Sequence, residues 1–161
     1  MKLVFHISAE QRLVIAADAV RQLRAHAQRS RHQPEAGGVL LGRHLLDSPD
    51  LVVDEVTVPQ KEDRRSRFAF FRSRQHGEVA RARWAAAKGT TAYLGLWHTH
   101  PERDPTPSSV DRRDWEKAVA SDTFEGDRLF FPIVGIDRIR VWSKARNGPI
   151  EELQEVSDQH E

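Results

Sequence analysis

The chain has no cysteine among its 161 residues. Disulfides, iron–sulfur clusters, thiolate zinc sites and a cysteine nucleophile are therefore excluded, and any bound metal must be held by His, Asp or Glu. No apolar run approaches the roughly 20 residues of a membrane span. The opening Met1-Lys-Leu-Val-Phe-His-Ile is too short and too soon polar for a signal peptide. The expectation is a cytoplasmic protein with no membrane partner. An excess of one charge is missing too, because 25 Lys and Arg stand against 24 Asp and Glu for a net charge of +1, so no nucleic-acid partner is expected on global charge. No internal repeat is visible, and a chain of this length suits one domain that buries roughly two thirds of its unfolded surface.

What the chain does contain is concentrated around Gly95-Leu-Trp-His98-Thr-His100-Pro101 and the Ser108-Ser-Val-Asp111 that follows. Residues 90–97 are β-branched, aromatic and apolar, which predicts a buried strand. Histidines at i and i+2 of an extended segment point to one side, so both imidazoles can reach a single divalent ion. Asp111, ten residues beyond Pro101, can supply an oxygen ligand and leave a fourth position open, as catalytic rather than structural zinc sites do.

Along the rest of the chain, Ser8-Ala-Glu-Gln11 reads as a capping box. It predicts a helix in which Leu13, Ala16, Ala17, Val20, Leu23 and Ala27 pack while Arg12, Arg21, Arg24 and Gln28 stay wet. Pro34 ends that segment and puts Glu35 at the entrance to a strand over 37–41. Residues 51–58 are its hairpin partner, across Asp47-Ser-Pro-Asp50. A second helix is predicted over about 73–88, burying Val79, Ala80, Trp84 and Ala87 and stopping at Gly89. A third, capped by Ser108, places Asp111, Trp115, Ala118 and Asp122 on one stripe. Two more strands, 129–136 and 139–142, close the fold. Residues 1–147 then form an α/β domain with a mixed sheet and about three helices, and 148–161 a polar, acidic tail expected to fray.

His-x-His-Pro, six residues, Ser-x-x-Asp, with Glu35-Ala-Gly-Gly-Val-Leu-Leu-Gly42 upstream, resembles the signature of the JAMM (MPN-plus) metallopeptidases, and every position of that pattern is filled. The resemblance covers almost the whole chain. It implies the MPN fold, related to that of cytidine deaminases, and removal of ubiquitin-like modifiers from their conjugates. It further implies Zn2+ held by His98, His100 and Asp111, Glu35 as general base, and Ser108 as hydrogen-bond donor to the developing oxyanion. Small stand-alone bacterial members occur beside conjugating-enzyme genes, including antiphage (CBASS) operons that tag a nucleotide cyclase.

Singly, each of these residues has an ordinary explanation. A histidine at a strand end is commonly just a hydrogen-bonded polar residue, and Ser108 with Asp111 is an adequate helix start. The conjunction argues otherwise, since an Asp on an inward-facing apolar stripe is costly to bury unless its charge is paired. A TIM-barrel hydrolase with His-x-His typically needs about 250 residues, and a metallo-β-lactamase-like site would want further histidines just downstream, which are absent.

Residues 61–74 carry six basic and two acidic side chains around Phe68, Phe70 and Phe71. Such a run is ordinarily a solvated loop with an aromatic or two tucked in. The family resemblance makes it a surface that clamps an extended modifier tail by β-addition, with Arg64, Arg65, Arg67 and Phe68 as the substrate-binding candidates. The alternatives are JAMM-type processing of a sulfur-carrier or modifier precursor, hydrolysis of a small amide, a non-catalytic MPN scaffold, and a nucleic-acid module using the arginines. The full set Glu35, His98, His100, Ser108 and Asp111 speaks against the scaffold.

Overall fold

The computed structural model describes residues 1–61, 63–66, 69–71, 75–86 and 91–157. Ten strands and three helices are present among the described residues. They are β1 (Leu3–His6), β2 (Arg12–Ile15), α1 (Ala17–Ala25), β3 (Gly37–His44), β4 (Leu51–Val56), β5 (Arg64–Ser66), β6 (Ala69–Phe71), α2 (Gln75–Ala86), β7 (Ala92–Thr99), α3 (Ser109–Ser121), β8 (Arg128–Val134), β9 (Ile139–Ala145) and β10 (Ile150–Glu155). Eight strands close into a barrel in the order β1, β10, β9, β8, β7, β3, β4, β2, while β5 and β6 form a separate hairpin. The sheet is mixed, with parallel pairs β2–β4 and β7–β8 and antiparallel pairs elsewhere. No helix among the described residues is long and apolar enough to cross a membrane.

Two apolar cores hold the strands. One contains Phe5, Leu13, Ile15, Leu40, Trp97 and Phe130 together with Val20 and Leu23 of α1. The other packs Trp115, Ala118 and Val119 of α3 against Leu41, Leu96, Phe131 and Trp142. Trp115 stacks on Phe131 and Trp142, which are cross-strand neighbours on β8 and β9, with centroids 4.9 and 5.9 Å away.

Gly95 decides which core each residue of β7 enters. Its φ is +152°, and a Cβ there would lie 1.8 Å from the Phe130 carbonyl oxygen, so only glycine lets β7 and β8 approach. Here the register against β3 slips, from Leu40 opposite Gly95 to Leu41 opposite Tyr93, a bulge that leaves Leu94 unpaired. Simple alternation is broken as a result. Leu94 and Trp97 share the first core, whereas Leu96 joins the second.

Three expectations are corrected. Ser8–Gln11 does not start a helix: Ser8 Oγ accepts Gln11 N–H at 3.1 Å as a capping serine would, but residues 12–15 continue as β2, between β1 and β4. Leu13, Val14 and Ile15 gain more from two-sided pairing than from a helix that β-branched residues disfavour. α1 therefore begins at Ala17 behind Ala16, which makes no side-chain cap. Gln28, expected on a wet face, is fully buried. Finally, the polar tail expected to fray contributes β10, paired with β1 on one side and β9 on the other. Its apolar anchors are Leu153, 5 % exposed, and the partly buried Ile150, and Arg140 Nη2 and Nε hold Glu152 at 2.6 and 2.8 Å. The hairpin β3–β4 lies where the sequence placed it, as do the second and third helices and the strand before His98. In α2, Val79 and Ala80 are only half-buried; the Trp84 side chain, Ala87 and Gly89 lie outside what is described.

Candidate metal centre

β7 and β8 are parallel neighbours, so the chain between them must cross over, and α3 is that crossover. Its N-terminus consequently lies beside the carboxyl end of β7. His98 is the penultimate residue of β7 and His100 follows its end. Their Nε2 atoms are 3.0 Å apart.

Asp111 reaches the same point from the first turn of α3. Its Oδ1 lies 3.2 Å from His98 Nε2 and its Oδ2 3.1 Å from His100 Nε2. A complete capping box aims the carboxylate: Asp111 Oδ2 accepts Ser108 N–H at 2.8 Å and Ser108 Oγ accepts Asp111 N–H at 3.0 Å. Ser108 Oγ uses a lone pair in that bond, so its hydroxyl proton is left to donate elsewhere. Trp115, one turn further along α3, packs 6.3 Å from the His98 ring and sets the height of the helix over the strand.

Glu35 comes from the other side, two residues before β3, and is 6 % exposed. A carboxylate oxygen of Glu35 and nitrogens of both histidines lie within 4.8 Å of one another. The main chain on either side of Glu35 is held firmly. Its N–H donates to Ser66 O, and Ala36 N–H donates to Thr99 Oγ1 at 2.9 Å. Thr99, between the two histidines in sequence, points away from them into the first core and donates to Gln28 Oε1 at 2.8 Å.

Electrostatics of the cluster favour a bound cation. Burial pulls the His100 imidazole down, but hydrogen bonds to Asp111 and Glu102 and the charges of Asp111 and Glu35 outweigh it and bring it up to about 8. Burial pushes Asp111 up, yet bonds to His100 and His98 and the backbone N–H of Ser108 hold its carboxyl well below the usual range. A positive charge between these groups is thus strongly preferred, supplied either by a proton or by a metal. Donor atoms 3.0–3.2 Å apart match a tetrahedral ion with bonds of about 2.0–2.2 Å, for which donors stand about 3.3 Å apart. The donor set fits a divalent ion of the zinc type.

Sequence reasoning missed Glu102. His100 Nδ1 lies 2.9 Å from Glu102 Oε1; a carboxylate accepting the Nδ1 proton leaves Nε2 with its lone pair toward the cluster. The available signal was its position immediately after His-x-His-Pro. Gly135 seats that loop: a Cβ there would lie 2.8 Å from the carbonyl oxygens of Glu102 and Arg103 and 2.5 Å from Pro105. Of the substrate candidates, Arg64 and Arg65 lie exposed on β5, and Arg65 Nε donates to the Glu35 carbonyl at 3.0 Å. Arg67 and Phe68 lie outside the described residues. Trp97, between Leu96 and His98 on β7, is fully buried.

Residues 16–145 match the family described as prokaryotic homologs of the JAB domain, and the chain belongs to it. A protein of Desulfitobacterium hafniense solved in solution shares the fold, with a TM-score of 0.61 and 22 % identity over 86 % of this chain and 87 % of that one. Among curated relatives, a Pseudomonas aeruginosa protein named CD-NTase/cGAS isopeptidase is 39 % identical over 67 % of this chain and 68 % of its own. Relatives of the same name from Vibrio cholerae and Escherichia coli are 34 % and 29 % identical, over 76 % and 91 % of this chain and 78 % and 90 % of theirs.

Proposed function

We propose that this chain is a zinc-dependent isopeptidase of the MPN fold, acting in the cytoplasm on the amide that joins the C-terminus of a ubiquitin-like modifier, or of a modified protein, to a target amine. The observation that carries the reading is the convergence of His98, His100 and Asp111 within 3.0–3.2 Å, with Glu35 beside them and every supporting bond in place. The shared name of the relatives makes a conjugate of a CD-NTase the first substrate to test.

His98, His100 and Asp111 would hold the zinc, which when bound lowers the pKa of a water to about 7 and polarises a carbonyl. Glu35 takes a proton from the attacking water and delivers it to the leaving nitrogen, a role typically worth about 10²–10⁴-fold. The amide C–N bond breaks, the carbonyl carbon gains the water oxygen, and the amine leaves with the proton. Ser108 Oγ–H donates to the carbonyl oxygen as charge builds on it. Substrate enters across β5 and β6, whose short separate hairpin flanks Glu35 and offers main-chain groups for an extended tail.

The test compares host cells carrying the wild-type protein or Glu35→Ala by mass spectrometry for branched lysine remnants. Conjugates that accumulate only with Glu35→Ala, in a protein that still takes up zinc, are the expected result. No accumulation with zinc retained would replace deconjugation by precursor trimming or small-amide hydrolysis.

A further inference from the structure

An ionisable pair outside the metal centre is more deeply buried than anything in it. The side chains of His76, on α2, and Asp63, just before β5, are 2 % and 0 % exposed, and His76 Nε2 lies 2.8 Å from Asp63 Oδ2. The same Oδ2 accepts Gln60 N–H at 2.7 Å. A carboxylate only accepts, so Nε2 carries a proton. Thr57 Oγ1 lies 2.5 Å from Nδ1 and accepts Val39 N–H at 2.8 Å. A continuous hydrogen-bonded chain therefore runs from Val39 through Thr57 and His76 to Asp63. The Thr57 main chain completes the junction, donating to Val39 O at 3.0 Å and accepting the Trp97 indole N–H at 2.9 Å.

Stability alone is a weak reason for such an arrangement, since well-packed apolar residues of similar volume often serve as well as a buried polar or ionic pair. Its connections supply a better one. Asp63 immediately precedes β5, and β5 clamps the Glu35 main chain at both ends: Ser66 O accepts its N–H and Arg65 Nε donates to its carbonyl at 3.0 Å. Thr57 grips Val39, four residues past Glu35 on the strand that Glu35 leads into, and Trp97, the residue before His98. One relay thus ties the hairpin that clamps the base to β3, which follows the base, and to β7, which carries His98 and leads into His100. Close packing leaves no slack, because a Cβ on Gly38 would lie 2.2 Å from Thr57 O.

We propose that Thr57, His76 and Asp63 are positioning residues for the hydrolysis, setting Glu35 against His98 and His100 through the β5 hairpin. The inference rests on the isopeptidase reading above. The test measures kcat, KM, bound zinc and melting temperature for the zinc-loaded wild type, Thr57→Val, Thr57→Ser and Asp63→Asn, using the conjugate isolated from the Glu35→Ala cells.

The expected result for Thr57→Val and Asp63→Asn is a fall in kcat of about 10–100-fold, the scale of an ångström-level misplacement, with KM within about twofold and zinc retained. Thr57→Ser, which keeps the hydroxyl, should stay near wild type. Unchanged kcat, or a fall that merely tracks lost zinc or lost folded protein, would overturn the inference. If Thr57→Val does not fold, Asp63→Asn decides by the same criteria; if neither folds, the relay is structural and the inference falls. A wild type that cannot cleave the conjugate would defeat the functional reading itself, whereas an active wild type with unimpaired variants defeats the relay alone.

Discussion

His100 carries three obligations at once: its Nε2 faces His98 and Asp111, and its Nδ1 is tied to Glu102. Removing the Glu102 carboxylate should release the ring to the wrong tautomer without disturbing the core, because Glu102 is 47 % exposed at its side chain. Glu102→Gln is expected to weaken zinc affinity by about 10–100-fold at unchanged melting temperature of the metal-free protein; an unchanged dissociation constant by calorimetry would dismiss that role. The same residue sets a pH dependence. In the metal-free protein burial pulls His100 down but the Asp111 and Glu102 carboxylates bring it up to about 8, so at pH 7 its imidazole is mostly protonated and must lose that proton to bind a metal. Zinc affinity should therefore climb as the pH rises from about 6 to about 8. Calorimetry across that range reads this directly, and an affinity unchanged with pH would contradict it.

Among the elements, α3 couples stability to the site most tightly. The stack of Trp115 on Phe131 and Trp142 fixes the helix whose first turn carries Ser108 and Asp111. Trp115→Ala should cost about 3–5 kcal/mol of stability and, because Asp111 is aimed by that helix, also reduce bound zinc in the fraction that stays folded. Denaturant unfolding with metal analysis on the folded fraction checks both; a stability loss with stoichiometric zinc would show that the capping box alone holds Asp111. The capping box was legible in the sequence, since Ser-x-x-Asp is a local pattern acting over a single turn. The stack was not. Trp115 and Trp142 are 27 positions apart in the chain, and nothing local says that they meet.

At the scale of the whole molecule, barrel closure depends on the last strand. β10 bridges β9 and β1, and Val156 N–H adds a bond to Val4 O at 2.8 Å. A chain ending at residue 147 would leave the facing edges of β1 and β9 unpaired, which exposes strand edges prone to association. It is expected to melt well below the full chain and to aggregate on concentration. A truncated chain with unchanged melting temperature and monomeric behaviour would show that β10 is dispensable.

The sequence by itself made His98, His100, Ser108 and Asp111 legible through short-range rules, period-two placement on a strand and a helix start, while Glu35 was marked by the family resemblance and not by a local rule. The hairpin β3–β4 and the helices α2 and α3 followed from the same kind of local pattern. What only the tertiary structure decided are features without a local signature. A polar segment such as 150–155 becomes a strand because two edges need partners, not because its own sequence favours one. Ser8 to Gln11 leads into a strand rather than a helix because neighbours on both sides offer hydrogen bonds to residues 12–15. Glu102, Gln28 and the Thr57–His76–Asp63 relay acquire meaning only when folding brings their partners within hydrogen-bond distance, since a polar side chain's role is set by what surrounds it once water is excluded.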